Sequence, residues 1–325
     1  MSRTGADGST RTPDEGGAPP GRAALQALQF PLLSPGEFVN PLAGPDAPSE
    51  PPSPALAPQA DAPARSRPLP PAPVWYLWID QRRPGFLNMA IDETLLRMAE
   101  TTGAGFLRLY GWAPACLSFG RHEPALRRYD RDRIVSRHID VVRRPTGGRA
   151  VWHNLDLTYA VAAPSDVFGP LAATHLAIHR TLAEAVEGLG VTASLAPARR
   201  PPPVDAGACF ATAAGGEVTV ANHKVVGSAQ LRTRTAFLQH GSILLEGDQR
   251  LVSDVAMGPS APGSAPTLRE LVGRSVGFEE MAERVASAAR SWTGAWNWIA
   301  RGDSIVEQAA ALADTYRSAR WTWCR

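Results

Sequence analysis

The stretch VVRRPTGGRAVWH, at residues 141–153, is the part of the sequence that most directly decides the fold. It predicts a strand that ends at Pro145, a turn with two glycines, and a second strand that begins at Ala150. Glycines permit close approaches that a side chain would forbid, so the turn can lie against a ligand, although such turns are more often only tight connections. Three polar side chains around the turn favour a binding role: Arg144, Arg149 and His153.

Strand and helix patterns alternate on both sides of this turn. Residues 86–100 show the apolar spacing of a helix, and residues 172–189 form a second periodic helix that Gly190 ends. The predicted strands are VWYLWID from Val74, FLRLYGW, ACLSFG, DVVRR, RAVWH, LTYAVAA, EVTV, KVVGSAQL and AFLQHGSILLE. EVTV and KVVGSAQL are expected to pair through Ala221, Asn222 and His223, and residues 251–325 to be mainly helical. The sequence therefore predicts an α/β (α+β) fold of mixed, largely antiparallel sheets packed with helices.

The first 73 residues differ in composition from the rest. They contain 17 of the 30 prolines of the chain and few aromatic residues, so they cannot bury enough apolar surface to offset the entropy of ordering. We predict a disordered, Pro/Ala-rich tail at residues 1–73 and one catalytic domain at residues 74–325.

Charge and composition exclude several classes of protein. The 33 basic and 31 acidic residues give a net charge of +2, which does not indicate nucleic acid as a partner. The three cysteines lack the spacing of a disulfide framework or a metal site. His175 and His179 share a helix face, but no third ligand accompanies them, so we predict no metal. The lack of a signal peptide or a long apolar run indicates a cytoplasmic protein with no membrane contact.

Lys224 is the only lysine of the protein, since arginine accounts for 32 of the 33 basic residues. A coding bias toward arginine also explains this from a single sequence. An ammonium group, however, can donate at close range to one oxygen, whereas a guanidinium is a broad, permanently charged fork. Lys224 is therefore the first candidate for a catalytic cation.

Cys209 lies in an irregular loop before EVTV. A lone cysteine is more often a small buried hydrophobe than a nucleophile, but a nearby cation such as Lys224 favours the thiolate. Cys116, in a strand, and Cys324, near the terminus, are better explained structurally. Beyond Lys224, three successive small residues indicate either close packing or a slot for an apolar chain: Gly227, Ser228 and Ala229.

Five segments together resemble the lipoate-protein ligase and octanoyltransferase superfamily, in order and in spacing. They are NMAIDE at 88–93, RRPTGGRAVWH at 143–153, CF at 209–210, HKVVGSAQ at 223–230 and LQHGSILL at 238–245. The likeness covers residues 74–325 and implies a catalytic domain like that of biotin and lipoate ligases. Arg149 stands where adenylate-forming ligases carry a third glycine, and the CF pair looks like that of cysteine-dependent octanoyltransferases. Asn222-His223 and His122-Glu123 depart from the family pattern, which leaves donor preference open.

The resemblance implies an octanoyl-[acyl carrier protein]:protein octanoyltransferase without a cofactor. Cys209 would take the octanoyl group from acyl carrier protein as a thioester and give it to a lysine of a lipoyl domain, such as that of glycine cleavage H protein or of a 2-oxoacid dehydrogenase E2. Lys224 would polarise the thioester carbonyl. The implied substrate-binding residues are Arg144, Thr146, Gly147, Gly148, Arg149, His153, Gly227, Ser228, Ala229, Gln239, His240 and Gly241.

Other functions remain open at this point. An ATP-dependent lipoate-protein ligase is the closest rival, although residues 251–325 resemble the end of a catalytic domain rather than an accessory domain. An amidotransferase that moves octanoyl groups between lipoyl domains would share Cys209 and Lys224. Biotin ligases fit less well, because their glycine-rich loop differs. The run RRYDRDR at 127–133 could instead be a solvated face, a surface for RNA, or a surface for the acidic acyl carrier protein.

Overall fold

The computed structural model describes residues 72–197, 215–258 and 265–325, over which the chain forms nine helices and twelve strands. The strands are β1 (Trp75–Ile79), β2 (Gly105–Tyr110), β3 (Cys116–Phe119), β4 (Asp140–Arg143), β5 (Val151–His153), β6 (Asp156–Pro164), β7 (Ala193–Leu195), β8 (Val218–Val220), β9 (His223–Lys224), β10 (Val226–Arg232), β11 (Ala236–Leu244) and β12 (Trp296–Trp298). The helices are α1 (Gly85–Thr102), α2 (Ala125–Arg128), α3 (Arg131–Ser136), α4 (Leu171–Glu187), α5 (Arg250–Asp254), α6 (Leu268–Val272), α7 (Phe278–Ala289), α8 (Asp303–Arg317) and α9 (Ala319–Thr322).

A mixed six-stranded sheet forms the centre of the fold, in the order β10-β11-β6-β2-β1-β12. Its pairs are antiparallel from β10 to β2 and parallel from β2 to β12. Two three-stranded sheets accompany it, β4-β3-β5 and β7-β8-β9, and only the β3-β4 pair in them is parallel. The predicted α/β class with mixed, largely antiparallel sheets is therefore confirmed.

The two faces of the central sheet bury different side chains, because successive strand residues point in opposite directions. Leu157 and Tyr159 of β6 belong to a large apolar core that also contains residues of α4 and α7. On the opposite face, Arg108 of β2 and His240 of β11 hydrogen-bond to Asp92 of α1. Helices α4 and α7 thus cover one face of the sheet, and α1 covers the other.

The strand predicted over KVVGSAQL is divided between two sheets. Lys224 ends β9, which pairs with β8, whereas β10 pairs with β11 in the central sheet. Val225 is the crossing point, because its N–H donates to Val218 O and its carbonyl accepts from Leu244 N. The turn before β9 is tight, with positive φ angles of 48° at Ala221 and 65° at Asn222. His223, predicted as a turn residue, already belongs to β9.

Residues 251–325 are mainly helical, as predicted, with one short strand, β12, that extends the sheet parallel to β1. One further expectation needs correction. The second predicted helix ends at Glu187, and Gly190 closes a turn beyond it with a positive φ of 88°. The tail at 1–71 lies outside the described residues, so the boundary at residue 73 stays a prediction. No helix in the described ranges has the length and apolar character needed to cross a bilayer.

Candidate active site

A pocket lies between helix α1, the turn that precedes β5, and the β10–β11 pair of the central sheet. The space between its walls is about 380 Å³, part of it open to solvent. The pocket is lined by Met89, Tyr110, Trp112, Arg144, Gly148, Val151, His153, Thr158, Gly227, Ser228, Ala229, His240, Gly241 and Ser242. Mostly apolar walls with a few polar groups suit an acyl chain that ends in a polar reacting group.

The glycine turn shapes one wall of this pocket. Gly148 has a positive φ of 91°, and a Cβ atom there would lie 3.8 Å from Cβ of Ala229 on the opposite wall. Gly120 packs against the outer side of the turn, where an added Cβ would overlap the carbonyl oxygen of Gly148. Glycine is therefore required at Gly148 for its backbone angle and at Gly120 for the close approach.

A directed hydrogen-bond chain runs behind the turn, from Arg144 to Asp156. Arg144 Nη1 donates to Ser118 Oγ over 2.6 Å, and Ser118 Oγ lies 2.7 Å from His153 Nε2. The other ring nitrogen of His153 lies 2.9 Å from the Asp156 carboxylate. Burial lowers the pKa of His153, so the neutral ring donates through Nδ1 to Asp156 and accepts the Ser118 hydroxyl at Nε2. The indole of Trp112 stacks on this ring at 3.9 Å.

A second network fixes His240 on the central strand. His240 Nδ1 lies 2.8 Å from Asp92 Oδ2, and His240 Nε2 lies 2.6 Å from Thr146 Oγ1. Asp92 also accepts from Arg108 Nη1 at 2.8 Å and from the Tyr110 hydroxyl at 2.7 Å. Burial and the Asp92 carboxylate raise the pKa of Tyr110 well above its usual value, so the phenol stays a donor. The ring of His240 is thus held between helix α1 and the glycine turn.

Lys224 is not among the residues that line the pocket. It lies three residues before Gly227, the first β10 residue of the lining, and just before the crossing point between the sheets. Its side chain is buried, and Nζ lies 2.6 Å from Glu217 Oε1. The backbone of Gly216 and Glu217 pairs with that of Ala196. Ala196 N donates to Glu217 O, and Gly216 N donates to Ala196 O, each over 2.8 Å. Ala196 and Glu217, which flank the segment that contains Cys209 in the sequence, therefore pair with each other, and Glu217 also binds Lys224.

The structure brings most of the predicted binding residues to this pocket. Arg144, Gly148, His153, Gly227, Ser228, Ala229, His240 and Gly241 all line it. Thr146 supports His240, and the carbonyls of Gly147 and Arg149 accept from Arg144 Nη2. Gln239 lies on the other face of the sheet from His240, where it donates to the Tyr159 hydroxyl.

Some predictions fall outside this arrangement. Cys209 lies outside the described residues. Cys116 is buried in β3, as predicted, and Cys324 is exposed. The rings of His175 and His179 are tilted against each other, with their centres 3.9 Å apart. Within the described ranges, no group of three or more His, Cys, Asp or Glu side chains is arranged to hold a metal ion.

Sequence reasoning missed three buried acids that orient these side chains: Asp92, Asp156 and Glu217. Asp92 lies inside NMAIDE and Glu217 begins EVTV, so both belong to segments that the sequence had singled out. Their partners could not be read from those segments, because each carboxylate meets side chains from other elements.

A family model described as the lipoyl protein ligase A/B catalytic domain matches residues 84–290. The chain belongs to this family. The matched residues include the glycine turn, the residues around Lys224 and the β10–β11 pair, so the family match covers the pocket described above. The predicted resemblance to the lipoate-protein ligase and octanoyltransferase superfamily is confirmed.

Two curated relatives carry the same name. An octanoyltransferase LipM from Exiguobacterium sibiricum is 34% identical over 279 residues, which cover 77% of this chain and 99% of the relative. An octanoyltransferase LipM from Symbiobacterium thermophilum is 36% identical over 231 residues, which cover 66% of this chain and 84% of the relative.

Solved structures support the fold. A crystal structure of lipoate-protein ligase A bound with ATP aligns with a TM-score of 0.64 and 20% sequence identity, covering 76% of this chain and 98% of the ligase. At this identity the likeness concerns the fold alone.

Proposed function

We propose that this protein is an octanoyltransferase that takes an octanoyl group from acyl carrier protein onto Cys209 and passes it to a lysine of a lipoyl domain. The coarser statement, an acyltransferase enzyme that acts in protein lipoylation, rests on the family and on the two octanoyltransferase relatives. The donor and the covalent step are the parts that need experiment.

The placement of Lys224 is the observation that supports this proposal most directly. The only lysine of the chain is buried, and it binds Glu217, a residue close to the end of the segment that contains Cys209 in the sequence. A buried ammonium group next to the reacting carbonyl would stabilise the negative charge that develops on the carbonyl oxygen. The same charge would favour the thiolate form of a cysteine close to it.

The proposed reaction has two steps that balance. In the first, the Cys209 thiolate attacks the octanoyl thioester carbonyl; the bond to the carrier thiol breaks, and that thiol leaves with the proton that Cys209 lost. In the second, the unprotonated amine of the acceptor lysine attacks the acyl-Cys209 carbonyl. An amide forms, the bond to Cys209 breaks, and the amine proton returns to the cysteine sulfur.

The pocket supports the role of an acyl-binding site. Gly227 and Ala229 have little or no side chain and so leave space along one wall of the pocket. Met89 and Trp112 provide apolar surface in the lining. The wall therefore has room for an apolar chain where β-branched side chains would close it. A cytoplasmic location, which remains a prediction, would keep Cys209 reduced.

The deciding experiment incubates the purified full-length protein with octanoyl-acyl carrier protein in the absence of ATP. We expect an octanoyl adduct in the intact mass spectrum that hydroxylamine removes and that the Cys209→Ser variant lacks. Addition of a lipoyl domain should then discharge the adduct and octanoylate the domain.

The rival functions give different results in the same assay. ATP-dependent attachment of free lipoate or octanoate, with no adduct on Cys209, would contradict the proposal and indicate a ligase. An adduct that forms from an octanoylated lipoyl domain, but not from octanoyl-acyl carrier protein, would indicate an amidotransferase.

A further inference from the structure

The ion pair between Lys224 and Glu217 has an unusual setting. Both side chains are buried, and Nζ lies 2.6 Å from Glu217 Oε1. Thr219 pairs with Lys224 across β8 and β9, so Glu217, two residues earlier, reaches alongside the lysine stem. A lysine side chain has many rotamers, and a short charge-assisted hydrogen bond restricts it to few of them.

A chain of hydrogen bonds, in which every group donates toward the same end, finishes at Gly216, the residue before Glu217. His179 Nδ1 lies 2.7 Å from Gly216 O, which can only accept, so this nitrogen carries the proton. Burial, with the nearby His175 and Lys224 charges, lowers the pKa of His179 to about 3, so the ring is neutral and its Nε2 accepts.

The rest of the chain follows from that fixed tautomer. The Ser228 hydroxyl donates to His179 Nε2 over 2.8 Å, so the Tyr159 hydroxyl must donate to Ser228 over 2.7 Å. The Gln239 amide then donates to the Tyr159 hydroxyl over 2.8 Å. Every proton in the chain points toward Gly216, which leaves no member free to reorient without breaking a buried hydrogen bond.

Three elements thus hold the Gly216–Glu217 backbone in place. His179 of α4 binds the carbonyl of Gly216, Ala196 at the end of β7 pairs with both residues, and Lys224 of β9 binds the Glu217 carboxylate. Among the residues that the structure describes, Glu217 pairs with the ammonium, and the charge of Lys224 also acts on His175 and His179. Through Ser228 this arrangement also joins Lys224 to the strand that lines the pocket.

We propose that Glu217 is the positioning residue of Lys224, and that the chain from Gln239 through His179 fixes the backbone from which Glu217 acts. The proposal rests on the proposed function, in which Lys224 donates to the acyl carbonyl. The reach of the Glu217 side chain, and not its charge alone, sets where the ammonium lies.

The single lysine makes a direct test possible. Protein grown with ¹⁵N-lysine gives one side-chain ammonium resonance, and the exchange of its protons with water reports how firmly Nζ is held. We expect Glu217→Ala to speed this exchange by about tenfold or more, the effect of losing a hydrogen bond worth about 1.4 kcal/mol. His179→Phe, which keeps a ring and removes both hydrogen bonds, should shift the same resonance.

Two variants separate reach from charge. Glu217→Gln keeps the length of the side chain and an acceptor oxygen, whereas Glu217→Asp keeps the charge and is one methylene shorter. We expect the Asp variant to resemble Glu217→Ala and the Gln variant to stay nearer the wild type, in ammonium exchange and in kcat, with the KM for octanoyl-acyl carrier protein little changed. The matched control is Glu280→Gln, which removes a surface ion pair with Arg274 and Arg284 and should change neither readout.

The opposite order of the Asp and Gln variants would overturn the positioning role, and so would an ammonium resonance that Glu217→Ala leaves unchanged. The resonance is read without substrate, so it also separates this inference from the proposed function. If the variants alter the resonance as expected while the wild-type protein transfers no octanoyl group, the proposed function fails and the positioning of Lys224 stands.

Discussion

Gly120 lies directly against the carbonyl of Gly148, so that a single added Cβ atom on Gly120 would overlap that oxygen. Backbone, not a flexible side chain, fills the space, and Arg121 N donates to Thr146 O beside it at 2.8 Å. The loop after β3 therefore serves as the support of the glycine turn. The shape of the pocket wall depends on this contact.

We expect Gly120→Ala to destabilise the protein by about 1–3 kcal/mol, the usual cost of overpacking a close contact. It should also weaken octanoyl transfer, because the turn must move toward the pocket. Gly147→Ala is the matched control for stability, since nothing lies within 4 Å of an added Cβ there. Urea unfolding of both variants and transfer assays of Gly120→Ala test this. Equal stability of the two would contradict the close approach.

Asp92→Asn should cost about 3 kcal/mol or more in the free energy of unfolding. The substitution removes the negative charge between Arg108 and His240, and breaking a buried ion pair on one side leaves a buried charge without full compensation. Asp303→Asn, in an exposed ion pair with Arg301, should cost less than about 1 kcal/mol. Chemical unfolding of both variants at neutral pH provides the measurement, and a loss at Asp92 as small as at Asp303 would argue against the network.

Stability should fall as the pH drops below 6.5, with His179 as one cause. Its pKa is lowered by burial from an ordinary value of 6.5 to about 3 in the folded protein, so the unfolded chain binds a proton between these limits that the folded chain does not. The contribution of His179 is therefore complete above pH 6.5 and is lost as the pH falls toward 3.

The variant His179→Phe tests this dependence. It should be less stable at neutral pH, yet its stability should fall less steeply between pH 6 and 4, by up to about 1.4 kcal/mol per pH unit. His122→Gln, which removes an exposed imidazole, should keep the wild-type slope. Parallel slopes for wild type and His179→Phe would rule His179 out as the cause.

Lys224→Arg should abolish most octanoyl transfer although it keeps the positive charge. The lysine is buried against Glu217, and a wider guanidinium cannot occupy the same position and donate to the same oxygen. We expect a loss of about 100-fold or more in the rate of acylation of Cys209, comparable to removal of one donor from an oxyanion site. Single-turnover acylation measures this, with circular dichroism as a check on folding. A loss below about threefold would contradict a direct role of Lys224.

The arginines at 127–133 give a prediction about the donor, which stays a hypothesis. Arg128 Nη1 forms an ion pair with Oε1 of the buried Glu123 at 3.2 Å, so replacing Arg128 would disturb the fold. Arg127 and Arg131 are exposed, as is Leu126. We expect the pair Arg127→Ala and Arg131→Ala to raise the KM for octanoyl-acyl carrier protein several-fold, with a larger effect at low salt.

A small donor supplies the control for this surface. The KM for octanoyl-pantetheine, which has no protein to dock, should not change in the same double variant. An unchanged KM for octanoyl-acyl carrier protein at low salt would place the docking surface elsewhere.

Much of the fold followed from local patterns, and the failures have a common cause. The apolar runs of β1 and β6 and the helical spacing of α1 predicted those elements within a few residues. KVVGSAQL also looked like one strand, because its composition is uniform. The chain nevertheless changes sheet at Val225, where one peptide group bonds to Val218 and the other to Leu244. Pairing with distant strands decides such a crossing, and local periodicity does not contain it.

The sequence by itself identified the candidate residues for the chemistry. A lysine that occurs once, a glycine turn and a run of small residues needed no coordinates, since residue type fixes charge, reach and the space left for a ligand. The tertiary structure decided which carboxylate pairs with which basic side chain. Asp92 and His240 are 148 positions apart, and only the packing of α1 on the central sheet brings them within 2.8 Å. Burial excludes water from such pairs and so makes each hydrogen bond obligatory, a condition that exists only once the chain has folded.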